Sequence, residues 1–136
     1  MIFRRLNIED LIEISPNLHE DNRGFFYESY RRDLLEKFIN QKIDFCQENH
    51  SKSKKGVFRG LHYQLSPFEQ TKLVSVIKGS IIDIAVDIRS NSESFLKNIQ
   101  IELSEENNKQ LFIPKGFAHG FYVKSEEAII SYKVDT

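Results

Sequence analysis

Only one cysteine, Cys46, stands in 136 residues, so no internal disulfide can form. A reducing compartment, the cytoplasm, is the expected setting. Alanine is scarce as well: three Ala stand against sixteen Ile and eleven Phe. That imbalance argues against a helical protein, because β-branched and aromatic side chains suit a pleated, half-buried surface. Charge of one sign is also missing. Nineteen Lys and Arg nearly cancel twenty Asp and Glu, for a formal net charge of -1. A global electrostatic grip on nucleic acid is thereby excluded as an expectation, while a local anion pocket is not. Long apolar runs are absent. The richest stretch, Ile81–Ile88, is cut by Asp83 and Asp87, so no transmembrane helix and no membrane partner are expected. The opening MIFRRLNIEDL lacks an apolar segment of signal-peptide length, so no leader is expected either.

What is present fits one domain, with no repeat or linker. A chain this long buries roughly two thirds of its unfolded surface, enough to fold without covalent staples. RRDLLEKFI, residues 31–39, is the one convincing helix, with Leu34, Leu35 and Phe38 on one side. The remainder reads as short strands between turn signals: 11–15, 25–30, 72–78, 80–89, 98–103, 117–123 and 128–134. Lys78-Gly79-Ser80 is expected to close a hairpin between two of these, and 117–123 is expected to pair with 128–134. Such spacing predicts an all-β sandwich or barrel. In residues 80–89, Ile82, Ile84, Val86 and Ile88 share one face and are expected in the core. Asp83 shares the other face with Ile81, Ala85 and Asp87. That face is expected to meet solvent, or a polar lumen if the sheet closes. Cys46 is expected as a small buried group. His19 and His50 are expected at the surface, and Lys52, Lys54 and Lys55 on an exposed loop.

The densest polar cluster runs from Gln47 to Lys72 and includes Arg59-Gly60-Leu61-His62-Tyr63-Gln64. If extended, this hexamer puts Gly60, His62 and Gln64 on one face and Arg59, Leu61 and Tyr63 on the other. A second segment, IPKGFAHGF, carries His119. The P-x-G-x-x-H spacing of Pro114, Gly116 and His119 resembles the second half of the cupin signature. Where cupins usually carry His-x-His, this chain has His62-Tyr63-Gln64. Two histidines without a nearby carboxylate are a poor set for zinc or iron, so no metal is expected. The resemblance implies a cupin jelly roll, a double-stranded β-helix barrel.

The blocks DNRGFFYE (21–28), QENHSKSKKGVFRGLHYQ (47–64), QTKLVSVIKGSIIDIAVDIRSNSESF (70–95) and LFIPKGFAHGFYV (111–123) together resemble a narrower group. They are similar to the dTDP-4-dehydrorhamnose 3,5-epimerases, metal-free cupin isomerases of dTDP-L-rhamnose biosynthesis. The resemblance implies a dTDP-linked 4-keto-6-deoxyglucose as substrate, inverted at C3 and C5 by proton transfer beside the C4 ketone. His62 then matches the general base, Tyr132 the general acid, and Lys72 the cation that meets the enolate oxygen. Arg23, Glu28, Gln47, Asn49, Arg59 and His119 match positions that bind the nucleotide-sugar. The family forms homodimers, which implies that Arg23 and Glu28 can serve the partner's pocket.

Those roles agree with elementary chemistry. A proton beside a ketone is weakly acidic, and histidine titrates near neutrality. A fixed ammonium in a water-poor site stabilises charge where it develops on oxygen. No electrons are gained or lost, so no cofactor is expected. Chains of this family usually run further, so residues 1–136 are expected to form one cupin domain lacking the C-terminal segment. In relatives that segment carries a thymine-stacking aromatic and an Asp that orients the base. Low turnover is the corresponding expectation, with Asp83 as the one acid that can take the orienting place beside His62. Other readings are a dTDP-keto-sugar ketoisomerase, an inactive nucleotide-sugar-binding fragment, and, least favoured, a metal-dependent cupin oxygenase.

Overall fold

Alternating side chains and sharp glycine turns divide the chain into twelve strands and one helix in a computed structural model that describes residues 1–136. The strands are β1 (Ile2–Arg5), β2 (Ile12–Ser15), β3 (His19–Asp21), β4 (Gly24–Phe26), β5 (Gln47–Lys54), β6 (Phe58–His62), β7 (Lys72–Lys78), β8 (Ser80–Asp87), β9 (Asn98–Ser104), β10 (Gln110–Ile113), β11 (Phe117–Val123) and β12 (Glu127–Val134). The helix, α1, spans Arg32–Ile39. A six-stranded sheet runs β1-β2-β10-β7-β12-β5, and a four-stranded sheet runs β6-β11-β8-β9. A separate hairpin joins β3 and β4. No helix is long and apolar enough to cross a membrane.

The two larger sheets face each other over the main core. Val74, Val76, Leu111, Ile113, Ala128 and Ile130 come from one, and Ile81, Ala85, Leu103, Phe117, Phe121 and Val123 from the other. A second apolar layer lies on the outside of the six-stranded sheet, where Leu35 of α1 packs with Ile12, Ile14, Leu73 and Phe112. This helix stops where Asn40 turns left-handed, at φ 55°, and its N–H bonds the Glu36 carbonyl.

The jelly-roll connectivity corrects two expectations. Gly79 does not close a hairpin: β7 and β8 belong to different sheets. Gly79 instead carries the chain around the edge of the sandwich at φ +86°, where a Cβ would collide with the Glu127 carbonyl oxygen. Likewise β11 and β12 do not pair with each other. Neighbouring segments of a two-layer roll cross between layers, and each strand finds its partners elsewhere in the chain.

The faces of β8 are also reversed. Ile81, Asp83, Ala85 and Asp87 point inward and are buried, while Ile82, Ile84, Val86 and Ile88 are only half-buried. Two interior acids are tolerated because each has partners, described below. Smaller departures have local causes. The aromatic strand expected over 25–30 ends at Phe26, because β3 is only three residues long. Cys46 is exposed, just ahead of the sheet-edge strand β5. Lys52 and Lys54 lie on that edge strand rather than a loop, and Lys52 pairs with Glu127. His19 and His50 are exposed as expected.

Candidate active site

A cavity of about 350 Å³ opens where the two sheets splay apart. His62 reaches it from the end of β6, Lys72 from the start of β7, and Tyr132 from late in β12. Asn49 of β5 also lines it, with Tyr63, Gln64, Glu69 and Gln70 from the loop after β6. Lys72 and Tyr132 are in-facing residues of adjacent strands, and the ammonium lies 6.0 Å from the phenol ring centroid.

His62 owes its direction to an irregularity that simple alternation misses. Arg59 pairs with Phe121 and His62 with His119, with a register shift between. Both partners face inward, so Arg59 and His62 lie on the same side of the sheet. The extra residue is absorbed around Gly60, at φ +112°, where a Cβ would come within 2.7 Å of the His119 carbonyl oxygen. The expected grouping of Arg59 with the opposite face is therefore corrected. Arg59 does not line the cavity; its Nε donates to Ser53 Oγ at 2.7 Å, tying β6 to β5 across the open edge of the sandwich.

Burial shapes the electrostatics. Desolvation lowers the Lys72 pKa, and the negative charge of Asp83 partly offsets the effect. Asp83 is completely buried, and His119 is nearly so. His119 Nε2 lies 2.6 Å from Asp83 Oδ1, with the carboxylate accepting. The suggested pairing of Asp83 with His62 is thus overturned: β11 lies between β6 and β8, His62 is in line with His119 and Ala85, and Asp83 sits two residues further along β8 and bonds His119 instead. No group of three or more His, Cys, Asp or Glu side chains is arranged to hold a metal ion.

The P-x-G-x-x-H segment has a structural reason of its own. Gly116, at φ +91°, lies against Arg89, which a Cβ would meet at 2.5 Å. The Arg89 guanidinium stacks 4.8 Å from the ring centroid of Phe117, a cavity residue. Arg89 Nε and Nη2 also donate to the buried Asp87 carboxylate, each at 3.0 Å. Ser92 donates to the same carboxylate at 2.6 Å, and Ser94 adds a further short bond. This brace fixes one wall of the cavity.

The remaining expected contacts lie apart. Gln47 is exposed, its amide donating to Asn49 Oδ1 at 2.9 Å. Arg23 sits at the tip of the β3–β4 hairpin and pairs with Asp21 at 2.6 Å. Glu28 pairs with Arg31 at 3.1 Å. Neither Arg23 nor Glu28 lines the cavity of its own chain. Gln64, Gln70 and Phe117 line the cavity without having been named as site residues, and Asp83, named as a partner for His62, instead pairs with His119. Asp83 alone left a signal, an acid inside an otherwise aliphatic strand.

Comparison with known proteins covers nearly the whole chain. A profile of the family described as dTDP-4-dehydrorhamnose 3,5-epimerase matches residues 5–136. The chain is 49% identical over 131 residues to the protein of that description from Shigella flexneri, covering 96% of this chain and 72% of the relative. Against its counterpart from Escherichia coli K12 it is 48% identical, covering 95% and 70%. Among solved structures, an epimerase of Legionella pneumophila in complex with dTDP-4-keto-L-rhamnose superposes with a TM-score of 0.95 at 47% identity, over 98% of this chain and 71% of that one. A Mycobacterium tuberculosis epimerase superposes at 0.96 with 32% identity, over 100% and 68%.

Proposed function

The chain belongs to the dTDP-4-dehydrorhamnose 3,5-epimerase family, and on that footing we propose that it inverts C3 and C5 of a dTDP-linked 4-keto-6-deoxyglucose. The observation that carries the reading is the convergence of His62, Lys72 and Tyr132 from three strands on one cavity. His62 acts as the base. It takes the proton from the carbon beside the ketone, and the C–H electron pair moves into an enolate at the C4 oxygen. The Lys72 ammonium stands against that oxygen, where partial burial strengthens its attraction for the developing charge. Tyr132 returns a proton from the opposite face of the ring, which inverts the carbon. Water then takes the proton from His62 and returns one to Tyr132, so the same steps repeat at the second carbon and the isomerisation ends with no net change in protons or electrons.

Asn49, Gln47, Arg59 and His119 are proposed contacts of the nucleotide-sugar. Asn49 lines the cavity, and Gln47 and Arg59 stand along the same open edge of the sandwich. Arg23 and Glu28 are proposed to serve the cavity of a second copy in a homodimer. Two observations support that arrangement: Phe25 and Phe26 of the hairpin carrying Arg23 are exposed, and the outer face of β6, β11 and β8 in the four-stranded sheet is largely apolar. The cytoplasm remains the proposed location, on the single-cysteine argument.

The test is solvent deuterium uptake into dTDP-4-keto-6-deoxyglucose, read by NMR. Exchange at C3 and C5 by the wild type, lost in His62→Ala, is expected. Absence of exchange from folded protein would refute the reading, and migration of the ketone to C3 would replace it with a ketoisomerase.

A further inference from the structure

Asp83 has two carboxylate oxygens and only one hydrogen-bonding partner. Oδ1 accepts from His119, whereas Oδ2 is buried with no hydrogen bond at all. Leaving a buried carboxylate oxygen unsatisfied is costly unless a charge faces it. An ionised carboxylate accepts and cannot donate, so the His119 proton must sit on Nε2, and Nδ1 is left without one in the neutral ring. Around this pair the ionisable groups are few. Lys72 and Tyr132 are in-facing residues of β7 and β12 in the opposite sheet, and His62 on β6 is the register partner of His119. Glu69 lies on the cavity rim, Asp87 is already held by Arg89, and Arg59 is tied to Ser53. From β9, Ile101 is the register partner of Asp83, and Asn49 and Ser53 of β5 are uncharged. Lys72, in-facing on β7, makes no ion pair with any carboxylate, and the Asp83 charge favours its ammonium form without a direct ion pair.

We propose that Asp83 is a positioning residue: one oxygen fixes the tautomer of His119, and the other is the counter-charge that keeps the Lys72 ammonium in the cavity. Asp83 stays behind His119 and does not touch the substrate. This rests on the epimerase reading for its purpose, but its geometry can be tested without substrate. An ion pair made directly to Lys72 would tie up the ammonium; a carboxylate set back behind histidine leaves it facing the cavity and still charged.

The experiment is NMR of the apo protein, with 15N-labelled histidine and 13Cε-labelled lysine, on wild type and Asp83→Asn. In wild type, His119 is expected as the Nε2–H tautomer. In the variant, the amide can donate to Nε2, so the proton is expected to move to Nδ1. The Lys72 titration midpoint is expected to fall by about one pH unit or more once the negative charge is gone. A neutral replacement with a merely structural effect moves neither signal. If His119 carries its proton on Nδ1 in wild type, the proposal is overturned without any variant, which keeps it testable should Asp83→Asn fail to fold. An unchanged Lys72 midpoint in folded Asp83→Asn also overturns it. Both readouts are independent of deuterium exchange, so a failed epimerase reading and a failed positioning role can be told apart.

Discussion

Replacing Arg89 with methionine keeps a long apolar stem against Phe117 while removing the guanidinium from a fully buried carboxylate. The Arg89 side chain makes two hydrogen bonds to Asp87, its backbone N–H a third that the substitution leaves in place, and the hydroxyls of Ser92 and Ser94 supply the others. Its bond to Asp10 joins partly exposed groups and contributes little. Stranding a buried charge by removing its partner costs about 3–5 kcal/mol, a large share of the about 5–15 kcal/mol that holds a domain together. With a urea m-value of about 1.5 kcal/mol per M, the unfolding midpoint at pH 7 should fall by about 2–3 M. Adding Asp87→Asn removes the stranded charge and should recover much of the loss, giving a coupling of about 2 kcal/mol or more in a double-mutant cycle. The pH dependence follows from the same charge. Burial pushes the Asp87 carboxyl up, but hydrogen bonds from Arg89, Ser92 and Ser94 outweigh it and hold the group well below the usual carboxylate range. A depressed folded pKa gives stability that is complete above the unfolded value of about 3.9 and lost as pH falls below it. The difference between wild type and Arg89→Met should therefore shrink in acid. A loss under about 1 kcal/mol at pH 7, or additive single variants, would refute the brace.

Lys72 supplies a second pH test, of the opposite kind. Desolvation lowers its pKa in the free protein, so if turnover needs the ammonium, the alkaline limb of the kcat/KM profile should lie below the ordinary lysine value of about 10.4. Its lowered pKa also makes the unfolded chain bind more protons in that window, so stability should rise slightly with pH there; a limb at or above the ordinary value contradicts the cation's assigned role. The proposed homodimer predicts that Tyr122→Asp, placing a charge on the apolar outer face, gives monomers in sedimentation velocity, whereas wild-type monomers at micromolar concentration would remove the dimer from the reading.

Most of the strands were legible because their apolar residues alternate, and α1 because Leu34, Leu35 and Phe38 recur at helical spacing. β5 was not, since QENHSKSK is polar on both faces. One side meets solvent with Glu48, His50 and Lys52, and the other carries Asn49 to the cavity. Alternation also failed at β6, where the register shift at Gly60 turns Arg59 and His62 to the same side. Local pattern carries no information on such a shift, because its cause is the approach of a distant strand. His62, Lys72 and Tyr132 were found through resemblance, whereas their convergence depends on pairings between segments far apart in the chain.

The reversal of β8 shows why the misreadings gather near the cavity. Side chains on a strand alternate with period two, so Asp83 cannot face the interior unless Ile82 and Ile84 face out. A sandwich that must hold an acid beside histidine and lysine in its interior thus presents an aliphatic stripe on its outer surface. Phe58, Leu61 and Tyr122 extend that stripe with 49%, 46% and 41% of their surface exposed. An apolar patch of this kind is costly in water and favours a covering surface. A polar interior and an apolar outer stripe are therefore two consequences of one register. Sliding β8 by a single residue would bury the aliphatic stripe, but it would also turn Asp83 away from His119 and dismantle the site.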